Sequence, residues 1–220
     1  MVNPIILRSK RKTLALYVVG SGAVEVRAPL HLPDSEIQKF VDNHRDWINK
    51  RQTELGSTRD NPKSFTDGSL YYFLGKTYPL VLKPLSHPPL SFDGMSFILS
   101  KTHQGKAKDL FMSWYKREAT NMIKERVEVL SKQHNLKFKG VKITNAKSRW
   151  GSCNGKNNLS FSLRLLLAPT SEIDYVIIHE LTHTVHHNHS KNFWNEVSKY
   201  CPNYKNERNW LKQHGHLLTL

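Results

Sequence analysis

The sequence predicts an α+β fold, with strands gathered towards the front of the chain and helices towards the back. Three observations carry this reading. Short runs of strand-period apolar residues dominate residues 1–105; the pattern turns helical around Thr102 to Lys106; and a strand hairpin lies between two later helical segments. We therefore expect two regions, a β-rich one with a single helix over 1–105 and a second domain over 106–220. A chain of 220 residues has room for one good core, or for a main domain with a small accessory one.

Taken in order, Leu14 to Val19 and Ala23 to Arg27 read as strands joined at Gly20-Ser21-Gly22. Asp34 can open a helix through about Leu55, with Ile37, Phe40, Val41, His44, Trp47 and Ile48 on one face. Gly56 to Ser69 is a polar connector. "LYYFLGKTYPLVLKP" and "LSFDGMSFILS" then give two hairpins. From Lys108 to about His134, Leu110, Phe111, Trp114, Tyr115, Ala119, Met122, Ile123, Val127 and Leu130 recur at spacings suited to a long amphipathic helix. "KGVKIT" and "SRWGSC" follow. The turn dipeptide Asn154-Gly155 then leads into "NLSFSLRLLL", where Leu159, Phe161, Leu163 and Leu165 alternate onto one strand face.

The charge balance is 33 Lys and Arg against 18 Asp and Glu, a formal +15. Residues 107–150 hold 11 basic against 4 acidic residues, whereas the last 70 hold 7 against 5. Segment 107–150 thus favours an anionic partner such as nucleic acid or a nucleotide, or else forms a solvated basic face. No purely apolar run, Leu165 to Ala168 included, is long enough to span a membrane. The amino terminus lacks the apolar core of a secretory signal, and Cys153 and Cys201 belong to no paired-cysteine motif. The chain reads as soluble and cytoplasmic.

The chemistry concentrates in "HELTHTVHHNH", His179 to His189. Pro169, Thr170 and Ser171 start a helix, and Glu172 and Asp174 suit its positive end. His179 and His183, four apart, lie one above the other and can share a metal ion. Glu180 projects beside that face, within reach of a metal-activated water without being a ligand. Zinc brings the pKa of its water to about 7 and polarises the bond under attack; Glu180 is then the general base. A catalytic zinc needs about three protein ligands and one open position. The third has several candidates: His186, His187 and His189 nearby, or Glu196 or Glu207 on later helices. His186 is still within the helix, and His187 points to another face. His189 follows after enough chain for the helix to end at Asn188 and turn back, and the spacing favours it.

At these residues the chain resembles the YgjP-like metallopeptidases, relatives of the SprT and WLM groups. The resemblance rests on "SRWGSC", "IDYVIIHELTH" with "NHSKNFW", and "CPNYKNERNWL", and more weakly on "RSKRKTLALYV", "VEVRAP" and "DNHRDWI". It implies a minimal zincin-like metallopeptidase core with one zinc per chain on His179, His183 and His189, and Glu180 as catalytic base. It also implies that the "SRWGSC" hairpin borders the cleft, with Phe193, Trp194 and Val197 packed beneath the site. Cys153 is expected to be a buried small residue. Tyr200, Tyr204, His214 and Arg149 are unranked candidates to stabilise an oxyanion.

The leading expectation is a zinc-dependent metallopeptidase acting on peptide or protein substrates. A metal-dependent phosphohydrolase, resembling a nucleotide pyrophosphatase, would use the same site on a phosphoanhydride. A basic nucleic-acid-associated protein with structural zinc is the third reading, and it leaves Glu180 without a purpose.

Overall fold

The computed structural model describes residues 4–18, 23–49 and 65–219. The chain divides into two compact units, Met1–Pro62 and Lys63–Leu220. The division therefore falls earlier than the expected one after residue 105. The cause is the pair of hairpins after residue 69, whose aromatic side chains join the core of the second unit.

In the first unit, β1 (Ile5–Ser9) pairs in parallel with β3 (Val24–Pro29), and β2 (Ala15–Val18) pairs antiparallel on β3's other edge. The first of these strands was not expected. The glycine turn expected at residues 20–22 lies outside the described residues. Helix α1 covers Asp34–Asn43, breaks at His44 and resumes over 45–49; the rest of the expected helix and most of the connector also lie outside. Ile37, Val41 and Ile48 are buried beside Val24, Val26 and Ala28, whereas His44 and Trp47 are exposed.

The second unit opens with a four-stranded sheet in the order β4-β5-β7-β6: β4 (Leu70–Phe73), β5 (Lys76–Lys83), β6 (Leu90–Phe92) and β7 (Phe97–Ser100). Both expected hairpins are present, and parallel pairing of β5 with β7 joins them. A 3-10 turn, Lys101–Lys106, leads into the long helix α2, Ala107–His134. Of the periodic set read from sequence, Phe111, Trp114, Tyr115, Ala119, Ile123, Val127 and Leu130 are buried, whereas Leu110 and Met122 are only partly so. The sheet supplies the facing aromatics: Tyr71 stacks on Phe111 at 4.2 Å, and Phe73 and Phe97 meet Trp114 edge-on at 5.1 and 4.9 Å.

A second small sheet has the order β8-β10-β9, with β8 (Gly140–Thr144) parallel and β9 (Gly151–Cys153) antiparallel to β10 (Asn158–Ser162). The expected strand alternation stops at Ser162. Its side chain accepts from Arg164 N–H and donates to the Ala146 carbonyl, turning the chain into a 3-10 helix, Leu163–Leu167. Four leucines, Leu163, Leu165, Leu166 and Leu167, are buried there together. Helices α3 (Thr170–Thr182), α4 (Lys191–Tyr200) and α5 (Tyr204–His214) complete the unit. Among the described residues no helix is long and apolar enough to cross a membrane.

The β4–β5 turn is clamped against the start of α3. Leu74 and Gly75 both have positive φ, and their N–H groups donate to the carbonyls of Leu166 and Leu167. A Cβ at Gly75 would stand 2.8 Å from Pro169 Cα and 2.9 Å from its N, contacts that require backbone movement. Gly75→Ala combines a left-handed penalty with overpacking, together about 3 kcal/mol. Thermal unfolding of the full chain should then fall by roughly 6–12 °C. A drop below about 2 °C would show that the clamp yields freely.

Candidate metal centre

Three histidines converge where α3 ends. His189 Nε2 lies 3.0 Å from His179 Nε2 and 3.2 Å from His183 Nε2. A tetrahedral cation at the usual zinc–nitrogen distance of about 2.0–2.1 Å would hold such atoms roughly 3.3 Å apart. The donor set thus fits a single metal ion. Among the described residues, this is the group of His, Cys, Asp and Glu side chains able to hold one.

The way His189 arrives differs from the expectation. The helix ends at Thr182, not Asn188, and His183 is its C-cap. His183 Nδ1–H donates to the His186 carbonyl at 2.9 Å, fixing the tautomer that leaves Nε2 free as a donor. That bond also bends residues 183–189 back across the helix end. His186 therefore acts through its backbone. Neither Glu196 nor Glu207 joins the cluster; Glu196 instead receives the Lys199 ammonium at 2.7 Å and the Tyr200 hydroxyl.

Phe193 forms the floor of the centre. Ser190 caps α4 by accepting from Phe193 N–H, which sets this ring under the cluster. Fully buried, it stacks on His183 at 4.4 Å and meets His179 and His189 edge-on at 4.9 Å each. Trp194 is partly buried and stacks on His189 at 5.6 Å and on Tyr204 at 5.3 Å. Burial depresses the His179 basicity to about 3, helped by the neighbouring His183 and His189; burial also lowers His183. Both imidazoles are thus held neutral, as metal ligands must be. His179 Nδ1 is buried with no hydrogen-bond partner among the described residues.

Glu180 is only 6% exposed. Burial raises its carboxyl to about 7, opposed by the Arg149 charge and by a hydrogen bond from Cys153 N–H. The approach of β9 is close: a Cβ at Gly151 would stand 2.6 Å from Glu180 Cγ and 2.8 Å from Oε1. Glycine is what allows the strand to lie on the carboxylate. Within "SRWGSC" no sequence signal marks this role, because nothing in one sequence distinguishes such a glycine from a turn residue. Cys153 is half-buried, not enclosed, and contributes its backbone N–H here.

A cavity of about 300 Å³ opens on the Glu180 side, bounded by His179, Glu180, Trp150 and Gly151 on one hand and by α5 on the other. Of the four unranked residues, Tyr200 is engaged with Glu196, Tyr204 with Trp194 and His214 Nδ1 with the Trp210 carbonyl at 3.0 Å. Arg149 is exposed and acts electrostatically on Glu180.

The family model described as "YgjP-like, metallopeptidase domain" matches residues 12–214. No curated protein matches. Among solved structures, the metallopeptidase zymogen abylysin of Pyrococcus abyssi is 22% identical, over 41% of this chain and 93% of its own, with a TM-score of 0.35.

Proposed function

From the premise that this chain belongs to the YgjP-like metallopeptidase family, we propose that it is a zinc-dependent peptidase with a minimal zincin-like core, Glu180 being its general base. The observation that carries this is the convergence of the His179, His183 and His189 Nε2 atoms with a buried carboxylate beside them. One zinc per chain, held by those three nitrogens, would polarise the scissile carbonyl and bring water to a pKa of about 7.

The protein groups do the rest. Glu180 takes a proton from the attacking water and passes it to the leaving amine, so the carboxylate is regenerated each cycle. Cys153 N–H and Arg149 orient and hold that carboxylate. Among the described residues β9 is an edge strand, paired with β10 alone, and it offers its free side to an extended substrate chain.

Part of the basic excess on α2 is neutralised internally. Arg126 makes a two-pronged pair with Asp174 at 2.6 and 2.7 Å, and Arg117 pairs with Glu118 at 3.0 Å. The basic segment is thus a weaker argument for nucleic acid than its charge count suggests.

The test is a substrate comparison on the zinc-loaded full chain, with casein-like protein, mixed peptides and nucleoside triphosphates in parallel. Peptide-bond cleavage should appear, vanish on chelation and return with zinc. Release of phosphate or pyrophosphate without peptide cleavage would replace this reading by the phosphohydrolase one.

A further inference from the structure

The cavity beside Glu180 has a chemical character that hydrolysis itself does not demand. Trp150, Tyr175, Val176 and Leu211 give it apolar walls, and α5 adds Arg208 and Lys212. These two are four residues apart and therefore rise from one face of the helix, a turn from each other. Both are exposed, and among the described residues neither has an acidic partner. Arg208 rests instead on the Trp194 ring, its Cζ 4.9 Å from the centroid. That contact fixes the guanidinium in place while leaving its charge uncancelled and its N–H fork available.

A second cavity of the protein provides a contrast. It encloses about 380 Å³ beside α2 and α3, and it too contains an arginine, Arg126. There Asp174 neutralises the cation with two hydrogen bonds. At the catalytic cavity the sole lining carboxylate is Glu180, which belongs to the chemistry. Two cations over apolar walls, lining the same cavity as Glu180 and without an acidic partner among the described residues, match a ligand with an apolar stem and an anionic tip.

The geometry points to a specificity pocket for a carboxylate. The substrate residue next to the scissile bond places an acidic group, either a Glu or Asp side chain or the peptide's own C-terminus, between Arg208 and Lys212. Its stem lies on Trp150 and Leu211. Arg208 gives directional recognition through its planar fork; Lys212 adds a point charge. This inference rests on the peptidase reading above and names the substrate class for it.

The zinc-loaded full chain is to be incubated with a proteome-derived peptide mixture, and the cleavage positions read by mass spectrometry. A matched set with amidated C-termini and synthetic Glu/Gln peptide pairs complete the experiment. Glu peptides should be cut about fivefold faster than their Gln counterparts in kcat/KM, the order of one exposed ion pair. Arg208→Gln with Lys212→Gln should erase that ratio. Arg208→Lys, which keeps the charge, should keep most of it even where overall turnover changes. A Glu-over-Gln preference that persists in amidated peptides assigns the carboxylate to a side chain; Glu and Gln cut alike, but faster with a free than with an amidated C-terminus, assigns it to the terminus. Cleavage that is the same for Glu and Gln and the same for free and amidated C-termini overturns the pocket and leaves the peptidase intact. Absence of any peptide cleavage overturns both.

Discussion

Replacing Glu180 by Gln will leave the chain folded and holding about one zinc, while peptide hydrolysis falls by roughly 10²–10⁴-fold, the usual contribution of a general base. The substitution is nearly isosteric, so the packing of Gly151 against the side chain is retained. The amide cannot accept the proton that the carboxylate takes from water. Because the three imidazole nitrogens lie together without help from Glu180, the metal content should not follow activity downwards. Metal analysis beside a peptide assay checks both halves. A variant that loses its zinc would make Glu180 a ligand, and one that keeps activity within about threefold would end its role as base.

Gly151→Ala should cost on the order of 100-fold in kcat/KM, although the new methyl touches neither substrate nor metal ligand. Its Cβ would fall 2.6 Å from Glu180 Cγ and 3.0 Å from Cδ. Real Cβ atoms do not approach so closely, so either the carboxylate swings away or β9 withdraws. Either movement breaks the hydrogen bond from Cys153 N–H that positions Glu180. Zinc content should stay near that of the parent, which separates this effect from general unfolding. Activity within about threefold of the parent would show that the strand moves aside at no cost to the base.

Much of this was legible in the sequence, and the exceptions have physical reasons. The α2 face could be read because 28 residues repeat one period many times. The His179, Glu180 and His183 set was legible for the same kind of reason, since helix geometry relates residues four apart whatever surrounds them. Strand β1 was not, because "IILRS" is short and its pairing with β3 is decided by contacts distant in sequence. The leucines after Ser162 satisfy strand alternation and a buried helical turn equally well. What decided between them was the Ser162 hydroxyl and its two partners. The early end of α3 depends on a carbonyl, that of His186, and backbone groups carry no residue identity to read. The division of the chain at residue 62 rather than 105 likewise turns on where Tyr71, Phe73 and Phe97 bury their rings.

All three histidines lie within the single stretch His179 to His189, closed by the bend at His183. A cation joining them ties off a loop of ten residues or fewer, and so removes little freedom from the unfolded chain. Its grip must come from how well the rings are held before it arrives. That holding comes from outside the stretch, from Phe193 beneath and Trp194 alongside. The eleven residues cut out as a peptide would keep every donor atom and lose the affinity, because the site's memory of its shape is stored in the neighbouring helix.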